Sequence, residues 1–85
     1  MNAMTVRGLI RRYAAAGSVQ FSFHAQLRAK QRHIRPQEIL NGLKHVVRVS
    51  PGDDVGTWRA VLPGDIVAVV ALRDGVLTIT VYGGN

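Results

Sequence analysis

The 85-residue chain predicts an α+β domain in which N-terminal helices pack on a small antiparallel β-sheet. Three observations point to it. Apolar residues recur at helical spacing in the first half, over residues 4–16 and again after Arg35. From Val46 onward the apolar period changes to two. Turn clusters then cut that second half into short segments: Ser50-Pro51-Gly52-Asp53-Asp54, Pro63-Gly64-Asp65 and Arg73-Asp74-Gly75. The length suits one domain, residues 1–85, with a single core. No repeat, low-complexity segment or interdomain linker interrupts it.

Residues 4–16 read as the first helix. Val6, Leu9, Ile10 and Tyr13 share one face, Arg7, Arg11 and Arg12 point elsewhere, and Gly17 ends it. Residues 19–23 form a short β-like segment with Val19, Phe21 and Phe23 on one side. Ser22 is placed to cap a second helix that runs to about Arg32. A third helix begins near Arg35-Pro36-Gln37-Glu38, where Pro fits the first turn and Glu38 favours the positive end of the dipole. Ile39, Leu40 and Leu43 form its buried face. Strands follow at 46–49, 57–62, 66–72 and 76–82. The third of these is apolar throughout and is expected to be central. In the last, Val76, Thr78, Thr80 and Tyr82 share one face, and Leu77, Ile79 and Val81 the other.

A hydrophobic fraction of 47% and a charged fraction of 19% are those of a globular chain, not a disordered tail. Without cysteine there is neither a disulfide framework nor a thiolate metal site. A core this small, lacking a staple, suits completion by a partner chain or a homodimer. The apolar run at 66–72 is too short to span a bilayer, and no signal-peptide pattern opens the chain. The expected location is therefore cytoplasmic, away from membranes.

Charge is distributed unevenly. Residues 1–50 hold nine basic residues against one acid, Glu38, a net of +8. Residues 51–85 hold Arg59 and Arg73 against Asp53, Asp54, Asp65 and Asp74, a net of −2. A basic helical layer on a near-neutral sheet suits a polyanion, nucleic acid first and an acidic protein second. The plainer reading is a solvated basic surface that aids solubility.

Two constellations carry chemistry. His24, Arg28 and Arg32 stand four residues apart in FSFHAQLRAKQRHI, which on a helix sets them along one face with Lys30 and Arg35 nearby. Arg offers phosphate a planar fork, and imidazole titrates near neutral pH. The alternative is a capping histidine beside two solvated arginines. The second constellation is the sheet face with Arg59, Thr78, Thr80 and Tyr82, which would converge with the first if the two faces formed a cleft. Its alternative is a solvent-facing strand, where Thr and Tyr are favoured anyway. Trp58 suits either base stacking or half-buried packing. His24, His33 and His45 are too dispersed for a zinc site, so neither a metal nor another cofactor is expected. Phosphate loops of the Gly-Lys-Ser/Thr type, nucleophile elbows and paired carboxylates are missing, which leaves peptide, ester or glycoside hydrolysis unsupported.

The segment FSFHAQLRAKQRHIRPQEI and the closing LTITVY resemble an uncharacterised bacterial domain with a His-Ala-x-x-Arg-x-x-x-Arg pattern. That domain is similar to the RelE-like and MqsR-like toxins, small basic ribonucleases of toxin–antitoxin modules. The likeness to MqsR extends to MTVRGLIRRYAAAGSVQFSFHA, to Thr57-Trp58-Arg59 and to the final hairpin, so it spans nearly the whole chain. It implies metal-free cleavage in which the RNA 2′-hydroxyl attacks the adjacent phosphate. His24 would serve as base or acid, and Arg28, Arg32 and Arg59 would hold the scissile phosphate. Tyr82 would orient it or protonate the leaving oxygen, and Lys30, Arg35 and Thr80 would bind RNA around it. The implied partners are RNA and a cognate antitoxin protein. The chain departs from several of these toxins in having no Lys near its C-terminus. Two other classes remain open: a non-catalytic nucleic-acid or protein binder, and a small assembly module meeting an acidic protein. An unpaired sheet edge at 57–62 would suit partner-strand addition in the latter.

Overall fold

The computed structural model describes the backbone of residues 2–84 and the side chains of residues 2–80. Three helices cover one face of a five-stranded sheet, an α+β fold. The first helix, α1 (Ala3–Ala15), starts at Asn2, whose side-chain oxygen accepts from the Thr5 amide at 2.9 Å. Val6, Ile10 and Ala14, four residues apart, form its buried stripe. It ends as expected at Gly17, whose φ of 76° admits a tight reversal. The Gly17 amide bonds the Ala14 carbonyl and the Ser18 amide bonds that of Tyr13, a Schellman closure.

Strand β1 (Val19–Phe21) follows, shorter than its sequence pattern suggests, because Ser22 starts the second helix. Helix α2 (Phe23–Gln31) buries only Ala25 and Ala29, two small residues that let it lie close on the sheet. Helix α3 (Pro36–Lys44) buries Ile39 and Leu43, with Leu40 partly covered. The remaining strands are β2 (Arg48–Pro51), β3 (Thr57–Leu62), β4 (Ile66–Arg73) and β5 (Val76–Gly84). β2 starts two residues later than its apolar pattern predicts. The carbonyls of Val46 and Val47 instead accept guanidinium N–H groups from Arg11 (3.0 Å) and Arg7 (3.3 Å) of α1.

The sheet order is β1-β5-β4-β3-β2, so the apolar strand β4 is central, as its composition suggests. The β4–β5 hairpin closes through Asp74 and Gly75, both at positive φ, which is the type I′ geometry that Asp-Gly favours. Two expectations are corrected. The sheet is mixed, because β1 pairs in parallel with β5, Val19 opposite Leu77 and Phe21 opposite Ile79. A three-residue strand carries no signal of its partner's direction. Here the direction follows from the Ser18 carbonyl accepting from Leu77 and the Ser22 amide donating to Ile79. Second, β3 is not an edge: β2 pairs with it on one side and β4 on the other, so residues 57–62 offer no free edge for strand addition.

The core lies between the helices and one sheet face, where Val49, Ala60, Leu62, Ala68, Val70, Leu77 and Ile79 meet the helical stripes. A β-bulge falls between Val69 and Val70: Val69 pairs with Val81 but Val70 with Ile79, leaving Thr80 as the extra residue. The alternation expected along this strand is thereby broken. Tyr82 pairs with Ala68, out of phase with Thr78, which pairs with Ala71.

Packing between α3 and β3 is tight at one point. A Cβ built on Gly42 would lie 3.0 Å from Leu62 Cδ1 and 3.1 Å from its Cβ, and Leu62 is buried with little room to yield. Gly8, within α1, has nothing within 4 Å of such an atom. Gly8→Ala should therefore raise stability by about 0.5–1 kcal/mol through helix propensity. Gly42→Ala should lower it by about 1–2 kcal/mol, because overpacking outweighs the same gain. Urea titration of both variants checks the opposite signs.

Candidate nucleic-acid interface

The sequence-predicted site begins at the start of α2. The Ser22 hydroxyl oxygen accepts from the Ala25 amide at 3.1 Å and donates its own proton to the Thr80 carbonyl at 2.9 Å. One side chain thus caps the helix and fastens it to the β5 bulge. His24 is thereby set in the first turn, exposed, with Arg28 one turn on and half-buried. Arg32 is the exposed C-cap residue.

Helical geometry divides the surface of α2 into three rows. His24 and Arg28 each precede a buried alanine by one position and flank the helix on one side. Gln26 and Lys30 each follow one and flank the other. Phe23 and Leu27 lie about half a turn from Ala25 and so occupy the outer crest. Phe23 is 80% exposed and Leu27 44%. Phe23 is therefore not on a strand face with Val19 and Phe21. The cap at Ser22 ends the two-residue alternation, and the next side chain swings outward. Sequence reasoning passed over this exposed aromatic, although the capping serine beside it was sufficient to take it out of the strand.

Lys30 and Arg35 belong to a different feature from His24. With His33, Gln26, Ile34 and Pro36 they line an open groove of about 580 Å³ where α2 turns into α3. Arg35 also pairs with Glu38 at 3.1 Å, an exposed contact within α3's first turn. His33 occupies the position that Gly17 takes after α1. Its amide bonds the Lys30 carbonyl, the Ile34 amide bonds that of Ala29, and its φ is 57°. A histidine with a Cβ in this left-handed conformation is strained where glycine would not be.

The described members of the second predicted constellation, Arg59, Thr78 and Thr80, do not join the first. Arg59 alternates with core-facing Trp58 and Ala60, so it lies on the sheet face away from the helices, where it approaches Asp53 at 3.8 Å. The whole sheet separates it from His24. Thr78 accepts from the Gln20 side chain at 3.1 Å on that open face. Thr80 donates its hydroxyl to the Val69 carbonyl at 3.1 Å, which commits it to the bulge. The side chain of Tyr82 lies outside the described residues. Trp58 packs half-buried against the core.

Among the described residues no three His, Asp or Glu side chains cluster as a metal would require. No described helix is long and apolar enough to cross a membrane. Compared with family models, curated proteins and solved structures, the chain matches none.

His33→Gly should stabilise the fold by about 0.5 kcal/mol, since the left-handed penalty of about 1–2 kcal/mol exceeds the entropy cost of glycine, about 0.5–1 kcal/mol. The melting temperature should rise by about 2–4 °C in differential scanning calorimetry.

Proposed function

We propose that the protein is a metal-free endoribonuclease of the RelE-like and MqsR-like kind, the toxin of a bacterial toxin–antitoxin pair acting on cytoplasmic RNA. One observation carries the reading: an exposed imidazole in the first turn of α2 with an arginine one turn along the same flank. In the reaction His24 takes the proton of a ribose 2′-hydroxyl, whose oxygen attacks the adjacent phosphorus. The bond to the 5′-oxygen breaks, leaving a 2′,3′-cyclic phosphate and a 5′-hydroxyl protonated by Tyr82 or by water. Arg28, with Arg32 at the helix end, offsets the charge that develops on the phosphate oxygens. The first-turn amides of α2 favour the same anion. Arg59, across the sheet, contributes nothing to this phosphate. An antitoxin would act by covering the α2 surface.

A second reading, a non-catalytic nucleic-acid binder, is favoured by a specific observation. Of the hydroxyl groups assigned to the site, that of Thr80 is already spent on the Val69 carbonyl, which leaves His24 as the described proton carrier. Binding needs only the cations. The two readings part on His24→Gln, assayed on a labelled, unstructured RNA in the presence of a metal chelator. As a nuclease, the wild type cleaves with chelator present and the variant loses about 10²-fold or more of the rate. Its affinity stays within about twofold. A wild type that binds RNA but leaves it intact would establish the binder instead. Arg28→Ala should weaken binding in both cases and lower the slope of log affinity against log salt by about 0.7.

A further inference from the structure

The outer crest of α2 presents a surface that phosphate binding alone does not use. Phe23 is 80% exposed at the first position of the helix, and Leu27 continues the apolar crest one turn on. To one side stand His24 and Arg28, and to the other Lys30, with Gln26, whose side-chain amide already donates to the Phe21 carbonyl at 3.1 Å. An aromatic ring between two rows of cationic or hydrogen-bonding groups matches the make-up of an unpaired nucleotide, a flat base joined to a phosphate. We propose that Phe23 is a base-stacking platform and that the ligand of α2 is therefore single-stranded RNA with unstacked bases. The inference rests on the RNA reading above and narrows it to a substrate class.

Duplex RNA offers a phosphate surface but keeps its bases stacked inside, so it would meet the cations and leave Phe23 idle. A base lifted from a single strand covers the ring while its flanking phosphates reach Arg28 or Lys30. Stacking of this kind tolerates any base, because each has a π-face. Other occupants fit less well. A second copy seated symmetrically on this crest would bring Arg28 and Lys30 of both chains together, and like charges across an interface oppose association. An acidic protein segment would satisfy the cations but gain as much from leucine as from phenylalanine at position 23.

The test uses the full chain and a twelve-nucleotide 2′-O-methyl RNA, which cannot supply the attacking hydroxyl and so stays intact. Affinities are measured for the single strand and for the same strand in a duplex, with wild type, Phe23→Leu and Phe23→Trp. Because Phe23 is exposed, neither variant should change the melting temperature, which is recorded alongside. The expected result is a single-strand affinity that falls roughly tenfold in Phe23→Leu and is kept in Phe23→Trp, with duplex binding unchanged throughout. Equal affinity for single strand and duplex, indifferent to position 23, would overturn the stacking role while leaving RNA binding intact. No binding to either form would show that the RNA reading itself had failed. Competition by poly-glutamate as strong as by RNA, with Phe23→Leu silent, would overturn the proposal in favour of an acidic protein partner.

Discussion

The junction of β1, α2 and β5 is the constraint from which the remaining geometry follows. Gln20 and Thr78 are 58 residues apart, yet they lie side by side in the parallel pairing that puts the N-terminal third onto the C-terminal strand. At the end of that pairing, beside the bulge at Thr80, the Ser22 hydroxyl donates to the Thr80 carbonyl, while its oxygen accepts from the first turn of α2. Thr80 meets the neighbouring Val69 carbonyl with its own hydroxyl. Polar groups that would be costly if left unpaired are thus satisfied by two side chains. The same bonds set where α2 starts and how it is rotated on the sheet. The places of His24, Phe23 and Arg28 on its surface are consequences.

A long-range junction of this kind has a kinetic side. β1 can pair with β5 only after most of the chain has been made and brought round, so the contact carries a large loop-closure entropy. The hairpins of β3–β4 and β4–β5 close locally, through turns whose residues already favour the needed conformations. The sheet core therefore has a local route to formation. The α2 surface acquires its final orientation when the parallel strand docks.

The basic half of the chain does two kinds of work. Arg7 and Arg11, one turn apart on α1, reach carbonyls that precede β2, and so help hold the first helix over the far edge of the sheet. Lys30 lines the groove at the α2–α3 turn, while Arg28 occupies the opposite flank of α2. Net charge in the sequence does not distinguish these roles. A guanidinium bonded to a backbone carbonyl and one facing solvent count equally toward +6. Electrostatic steering of a polyanion depends on the second kind.

Much of the fold is local chemistry, and it was legible for that reason. Gly17 stops α1 because the chain needs a positive φ there, Ser22 caps α2, Pro36 opens α3, and Asp74-Gly75 closes the last hairpin. The apolar run of β4 announced a central strand because only a strand flanked on both sides can bury so much of itself. The candidate helix face was legible too, since four-residue spacing sets His24 and Arg28 together wherever a helix forms. What the residues could not declare are relations between distant segments. The parallel sense of β1, the interior place of β3 and the bulge at Thr80 depend on which backbone groups meet across the sheet, and such bonds carry no side-chain code. Arg59 fell on the opposite face from His24 for that reason: alternation assigns a residue to one of two faces, and packing alone decides which of them the helices cover.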